Sequence, residues 1–454
     1  MRARSRPIVE VLPSDIDLLA LHRREPRRYP HLLESVVSGP QGSHDILFGF
    51  PGPSLSLDSG GLAGRAVNRP GTRFVDALDR WAAEESADYD RLDLPFTGGW
   101  FLFLAYELVG ELEPTLPVSP DPMGLPLALA TRFPCALIRE HRSGRVLAVC
   151  EPGQQSRLAL IRADVEGLCQ EPEPTDGAPP ELAVVEEEAE RFLSGVERIK
   201  RYIREGDVFQ VNLSRLWHGR FEQGVDPLGL YDRLRDANPG PFAALVSLAG
   251  ASILSSSPER LVSVRDGHIA TRPIAGTRPR GPAADADLAL SEELLRHPKE
   301  RAEHIMLIDL ERNDLGRVCR PGSIAVDELM AIESYRHVHH IVSNVRGRLR
   351  DGITPGQVIR ALFPGGTITG CPKVRCMEII NELERQGRGA YTGSVGYLTR
   401  HGDMDLNILI RTLVVGGDRL AFRTGAGIVA DSDALAELAE TRHKAEGLLR
   451  ALRA

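Results

Sequence analysis

From Val208 to Trp217 the chain alternates, with Phe209, Val211 and Leu213 on one side and Gln210, Asn212 and Ser214 on the other. Period-two patterning predicts a strand with one apolar and one polar face. In a large chain such a polar face is either a solvated edge or the wall of a cavity. The stretch before it, 189–207, has helical period: Phe192, Val196, Ile199 and Ile203 share a face, and Gly206 supplies the stop.

Two further segments read as helices. In 298–318 Pro298 sits near the first turn, and Ile305, Ile308 and Leu310 are expected in the core. In 371–385 Pro372 sits near the start, and Val374, Met377, Ile380 and Leu383 are expected to face inward. A last helix is expected after a Ser432 cap. Short apolar runs at 98–108 and 135–150 read as strands, the second a hairpin about Ser143-Gly144. "ASILSSSPERLVSV" and "GHIATRPIAG" form another pair, turning at Asp266-Gly267. Thr271–Gly281, "TRPIAGTRPRG", reads as a rigid cationic loop, and 169–190 as a linker rich in Pro and Glu. Hairpins without βαβ units predict an α+β sandwich with mostly antiparallel sheets.

At 454 residues the chain exceeds the usual limit of about 300 for one core, so two lobes or one large intertwined domain are expected. We divide it into a β-rich region, 1–180, and a catalytic domain, 188–454. A net charge of −8 without a basic stripe argues against nucleic acid. No window holds 18 uninterrupted apolar residues and the first residues lack a signal-peptide core, which predicts a cytoplasmic chain away from the membrane. Six scattered cysteines, without C-x-x-C, suit reduced thiols. Lysine occurs only at 200, 299, 373 and 444.

Candidate chemistry concentrates in the second half. Glu300 and Glu303 share one helical face, and Glu437 and Glu440 repeat the spacing on the last helix. Facing each other they would suit Mg²⁺, which combines a few carboxylates with water and substrate oxygens; solvated acidic faces paired to Arg301, Arg442 or Lys444 are the alternative. "FPGGTITGCPKVR", 363–375, leads a glycine-rich loop into a helix start with Lys373, where free N–H groups, the helix dipole and the lysine make an anion site; a merely tight turn is the alternative. Gly425, Ala426 and Gly427 offer further exposed N–H groups. Arg411 stands alone in an apolar strand, either in an ion pair or as a fork for a carboxylate. Glu259 is a proton donor or the partner of Arg260; His340 is a ligand contact or a core histidine.

Taken in order, "GDVFQVNLSR", "SSSPERLVSV", "TRPIAGTRPRG", "RAEHIMLIDLERNDLGRV", "FPGGTITGCPKVRCMEIINELE", "YTGSVGYL", "MDLNILIRTL", "GAGIVADS" and "AETRHKAEGLL" resemble the chorismate-utilising enzymes. The match covers roughly 188–454. The resemblance implies a large α/β sandwich, two mostly antiparallel sheets flanked by helices and cradling Mg²⁺ and chorismate.

It also implies roles. Glu303 and Glu440 would hold Mg²⁺ directly, with Glu300 and Glu437 acting through water. Arg411, Tyr391 and the N–H groups of Gly425, Ala426 and Gly427 would hold the enolpyruvyl carboxylate. Thr367, Thr369, Gly370 and Lys373 would complete the cradle. Glu259 would protonate the departing C4 hydroxyl, and His340 would lie beside the ring. In water-adding members the position of Gln210 resembles a lysine base; an amide cannot take a proton, which implies ammonia as nucleophile and a separate glutamine amidotransferase subunit. "FPGG", "VHHIVS" and "AYELVGELEP" resemble the aminodeoxychorismate branch. Ala275, near Thr277, resembles the anthranilate branch, since many aminodeoxychorismate synthases carry a lysine there. "HLLES" and "NPGPF" resemble a tryptophan-binding element, with Ser35, Pro241 and Phe242 as its candidate contacts.

Overall fold

The computed structural model describes residues 5–36, 43–67, 71–168, 182–222, 224–280, 298–334 and 338–453, with Asp287 and Glu293. Two large sheets carry the chain, and neighbouring strands in both pair antiparallel. The larger, of twelve strands, takes β1 (Ile8–Leu12), β2 (His31–Glu34), β3 (His44–Gly49), β8 (Cys135–Glu140) and β9 (Val146–Cys150) from the first third. From the rest come β10 (Leu182–Glu186), β11 (Gln210–Phe221), β12 (Phe242–Leu248), β13 (Ala251–Ser257), β19 (Gly370–Cys371), β22 (Thr412–Gly416) and β23 (Arg419–Ile428). Its order is β1-β9-β8-β3-β2-β12-β13-β22-β23-β11-β10, with β19 also on β11.

The eleven-stranded sheet likewise mixes both halves. It joins β4 (Ser54–Asp58), β5 (Gly61–Gly64), β6 (Gly99–Leu104) and β7 (Ala128–Phe133) to β14 (Arg260–Arg265), β15 (His268–Thr271) and β16 (Ile274–Pro279). The others are β17 (Ala325–Ser334), β18 (Val338–Arg348), β20 (Ser394–Thr399) and β21 (Met404–Asn407). The sheets meet over an apolar layer of Phe48, Phe101, Phe103, Phe133, Val246, Ile253, Val395 and Val414, which alternate inward along their strands.

Ten helices are described: α1 (Leu18–Arg24), α2 (Phe74–Glu84), α3 (Val109–Leu112), α4 (Gln155–Leu168), α5 (Ala189–Glu205), α6 (Pro227–Ala237), α7 (Pro298–Gly316), α8 (Pro355–Leu362), α9 (Lys373–Glu384) and α10 (Ala434–Arg453). Gly206 ends α5 at φ 84°, where a side chain would be strained. None of the described helices is long and apolar enough to cross a membrane.

Several expectations need correction. The segment 182–186 is strand β10, paired to β11, while 169–181 lie outside the described residues. Strand β11 is no edge, because β10 and β23 flank it; its polar face is a buried wall. Phe209 precedes the strand and is 66% exposed. "ASILSSSPERLVSV" splits between the sheets: β13 belongs to one, β14 to the other, and only β14 and β15 turn at Asp266-Gly267. Ile305 and Val374 face out, at 50% and 39% exposure. The cap of α10 is Asp433, whose Oδ1 accepts the Ala436 N–H at 2.9 Å; Ser432 Oγ instead accepts from Val429 N.

The cationic segment is mainly strand, with β16 paired to β18. Arg272 Nε is bound to Glu333 Oε1 at 3.0 Å and Arg280 to Asp287 at 2.6 Å, so these charges are met by the protein itself. Arg411 lies outside any strand, between β21 and β22, at φ 51°.

Candidate functional site

Strands β11 and β23 supply the wall. Their register sets Asn212 opposite Gly427 and Ser214 opposite Gly425, so each glycine shares a face with a polar side chain. A Cβ on Gly427 would stand 2.3 Å from Gln210 Nε2. One on Gly425 would stand 2.7 Å from the Tyr391 hydroxyl and 2.8 Å from Asn212 Oδ1. The glycines are therefore required by close approach. Gln210 Nε2 donates to Glu303 Oε1 at 3.2 Å, tying the strand to α7.

Glu259 follows β13 past Pro258 and is buried. Burial pushes its carboxyl up to about 7; the Thr367 hydroxyl, donating to Oε1 at 2.8 Å, and the charges of Lys444 and Arg411 pull the other way. Arg260 is bound to Asp405 at 2.9 Å and is not its partner. A carboxyl poised near neutrality can hold and release a proton. Glu311 on α7, unmarked in the sequence reading, is a second: burial and neighbouring Asp314 push it up to about 8 against the pull of Lys373. Its pattern signal, a polar residue at a buried helical position, was available.

The Arg411 guanidinium makes no hydrogen bond or ion pair among the described residues; Glu259 is the acid whose charge acts on it, and burial pulls it below the usual arginine range. Its carbonyl accepts from Ser256 N at 3.1 Å and Ser256 Oγ at 3.2 Å, and Ser256 Oγ accepts from Asn238 Nδ2 at 2.7 Å. His340 is buried and pushed down to about 3 by desolvation and by Arg411, so its ring is neutral. The backbone of β16 sets Ala275 opposite Ile341 and Thr277 opposite His340; the side chains of both lie outside the described residues.

The glycine loop is folded against β11. Thr369 Oγ1 donates to Gly365 O at 2.8 Å, the Thr369 carbonyl accepts from Asn212 N at 2.9 Å, and Gly370, at φ 129°, pairs with Val211. Lys373 is committed elsewhere: its Nζ is ion-paired with Asp314 and donates to Leu362 O at 3.2 Å. The expected cradle thus loses that ammonium to a buried aspartate.

Arg388 was also missed. Its Nε and Nη2 bind Glu384 at 3.0 and 2.7 Å, Nη1 reaches Ile368 O at 3.0 Å and Thr392 Oγ1 at 3.3 Å, and Nη2 reaches Asn212 O at 2.8 Å. All five N–H donors are used, and the guanidinium stacks 5.5 Å from the centre of the Tyr391 ring. One side chain thereby ties the glycine loop, β11 and the Tyr391 turn together.

Side chains of both acidic helices reach β23. Glu303 Oε1 lies 3.5 Å from the Cβ position of Gly427; Lys444, on α10, donates to Gly425 O at 2.9 Å and pairs with Glu440 at 2.7 Å. Glu437 is buried in the first turn of α10. Carboxylates are the donors Mg²⁺ takes, so the residue types fit. Among the described residues no three acidic, His or Cys side chains converge on one point, and the Glu300 side chain lies outside them.

Away from this wall, Ser35 Oγ donates to Pro241 O at 2.6 Å, and both residues, with Phe242, line a cavity of about 300 Å³. Arg260, Tyr397, Asp405 and Asn407 line it as well, which joins apolar surface to polar groups.

A family model for chorismate binding enzymes matches residues 59–450. Anthranilate synthase component 1 of Cereibacter sphaeroides is 41% identical over 470 residues, covering 97% of this chain and 93% of that protein. Aminodeoxychorismate synthase component 1 of Bacillus subtilis is 52% identical over 261 residues, 58% of this chain and 55% of that protein. The crystal structure of anthranilate synthase component I from Streptococcus pneumoniae superposes with a TM-score of 0.78 at 33% identity, over 90% of this chain and 93% of that one. The paired antiparallel sheets, the glycine-bared wall and these matches together make this chain a member of the chorismate-binding enzyme family.

Proposed function

We propose that the chain aminates chorismate at C4 to give 4-amino-4-deoxychorismate, as an aminodeoxychorismate synthase component I. The observation carrying amination is Gln210: the wall begins with an amide bound to Glu303, and an amide cannot deprotonate water. Ammonia attacks without that help. The 52% identity to the Bacillus subtilis aminodeoxychorismate synthase supports C4. Anthranilate formation is the second reading, favoured by Ala275 and by the 41% relative matching 97% of the chain.

In this reading Arg411 and Tyr391 hold one substrate carboxylate, the N–H groups of Gly425 and Gly427 help while that of Ala426 faces Leu213 in the ladder, and Thr369 and Gly370 shape the floor. Glu259 gives its proton to the leaving hydroxyl, for which a carboxyl near 7 is suited. Glu303 and Glu440 hold Mg²⁺, with Glu300 and Glu437 outside them, and the bound metal offsets the charge of the ring carboxylate. A glutamine amidotransferase subunit supplies ammonia in the cytoplasm, and tryptophan occupies the cavity at Ser35, Pro241 and Phe242.

Incubation with chorismate, magnesium and ammonium tests the reading. The expected product keeps its enolpyruvyl group and releases no pyruvate. Fluorescent anthranilate with stoichiometric pyruvate replaces C4 by C2, and no aminated product at all rejects both.

A further inference from the structure

Gln210 and Asn212 stand two apart on β11, so their side chains share the polar face. They are 3% and 8% exposed. Gln210 Oε1 and Asn212 Oδ1 both lack a hydrogen-bond partner among the described residues. Gln210 turns its Nε2 to Glu303, which points its oxygen away from that carboxylate. Gly425 and Gly427, opposite on β23, carry no side chain that could meet these oxygens. Buried carbonyl oxygens without donors are costly, and two on one face of a candidate site imply a ligand that brings the donors.

We infer that Gln210 Oε1 and Asn212 Oδ1 form an acceptor pair that binds the N–H groups of the ammonia nucleophile. The inference rests on the aminating reading and deepens it. Chorismate at neutral pH carries two carboxylates, which are acceptors, and a single hydroxyl donor. Ammonia carries three donors and one lone pair; two N–H groups held by the wall leave the lone pair free for the ring. The acceptors are uncharged, so they hold ammonia without the preference for ammonium that a carboxylate would impose.

The test uses the full chain with chorismate, magnesium and ammonium chloride, measuring KM for each substrate. Asn212→Leu removes the acceptor at nearly constant shape and is expected to raise KM for ammonium by about tenfold or more, with KM for chorismate within about twofold. Asn212→Ser, which restores an uncharged oxygen, is expected to return KM for ammonium to within about threefold of the parent. Should the leucine variant not fold, Asn212→Ala carries the same expectation without added bulk. An unchanged KM for ammonium, or equal rises for both substrates, overturns the acceptor pair. Absence of any aminated product from the parent chain instead rejects the function itself, so the two failures are distinct.

Discussion

Thr367 donates its hydroxyl to Glu259 at 2.8 Å, fixing a carboxyl that burial has pushed up to about 7. In its proposed role as the acid Glu259 must be protonated, so turnover is expected to fall as pH rises through about 7. The hydroxyl favours the ionised form; Thr367→Val should therefore move that alkaline limb to higher pH. Glu259→Gln should lower kcat by about 10²–10⁴-fold. A pH–rate profile of each variant checks both.

Glu34, Glu107 and Glu259 are pushed up to about 7 and Glu311 to about 8, each chiefly by burial. Folded values above the usual 4.5 mean these groups contribute stability that is full below that value and lost as pH rises through 7 to 8. The melting temperature should fall between pH 7 and 8.5, by about a few degrees, because above pH 7 the downshifted His22, His31, His44, His304 and His340 no longer oppose the trend. Glu311→Gln should flatten the upper part of that slope, as read by thermal scans across pH.

Gly427→Ala should disable the wall. Its Cβ would sit 2.3 Å from Gln210 Nε2, forcing the amide off Glu303. Activity should fall by about tenfold or more, since small misplacements of positioned groups are costly. Steady-state kinetics beside a melting curve separates this from unfolding.

Arg388→Met should destabilise the fold by about 3–5 kcal/mol, because it breaks a buried ion pair and empties five hydrogen bonds. Arg388→Lys keeps the charge but only three donors, and should raise KM for chorismate with a smaller stability loss. Urea titration and kinetics measure the two effects.

Chelation should abolish turnover and added magnesium should restore it. Glu303→Ala and Glu440→Ala should remove the response, whereas Glu437→Gln should weaken metal affinity by about 10–100-fold. Magnesium titration of activity is the check.

Residue periodicity made much of this legible. The alternation of 208–217 identified the wall, the stop at Gly206 ended α5 where expected, and the glycine-rich motifs led to β23 and to the loop folded against β11. Local pattern was less dependable at surfaces: Ile305 and Val374 fit a core stripe yet face out, because helical phase alone does not say which neighbours cover a turn.

What the sequence determined by itself was therefore local: where strands and helices form, where glycine leaves room, and which charged groups are available. Tertiary structure alone decided the partners. Lys373 goes to Asp314, 59 residues away, Arg272 to Glu333, 61 away, and Gln210 to Glu303, 93 away. It also left Arg411 with no such partner among the described residues and raised Glu311 beside Asp314. The reason is physical: backbone periodicity reflects steric rules within a few residues, whereas the state of a charge depends on its desolvation and on whatever distant segment folds against it.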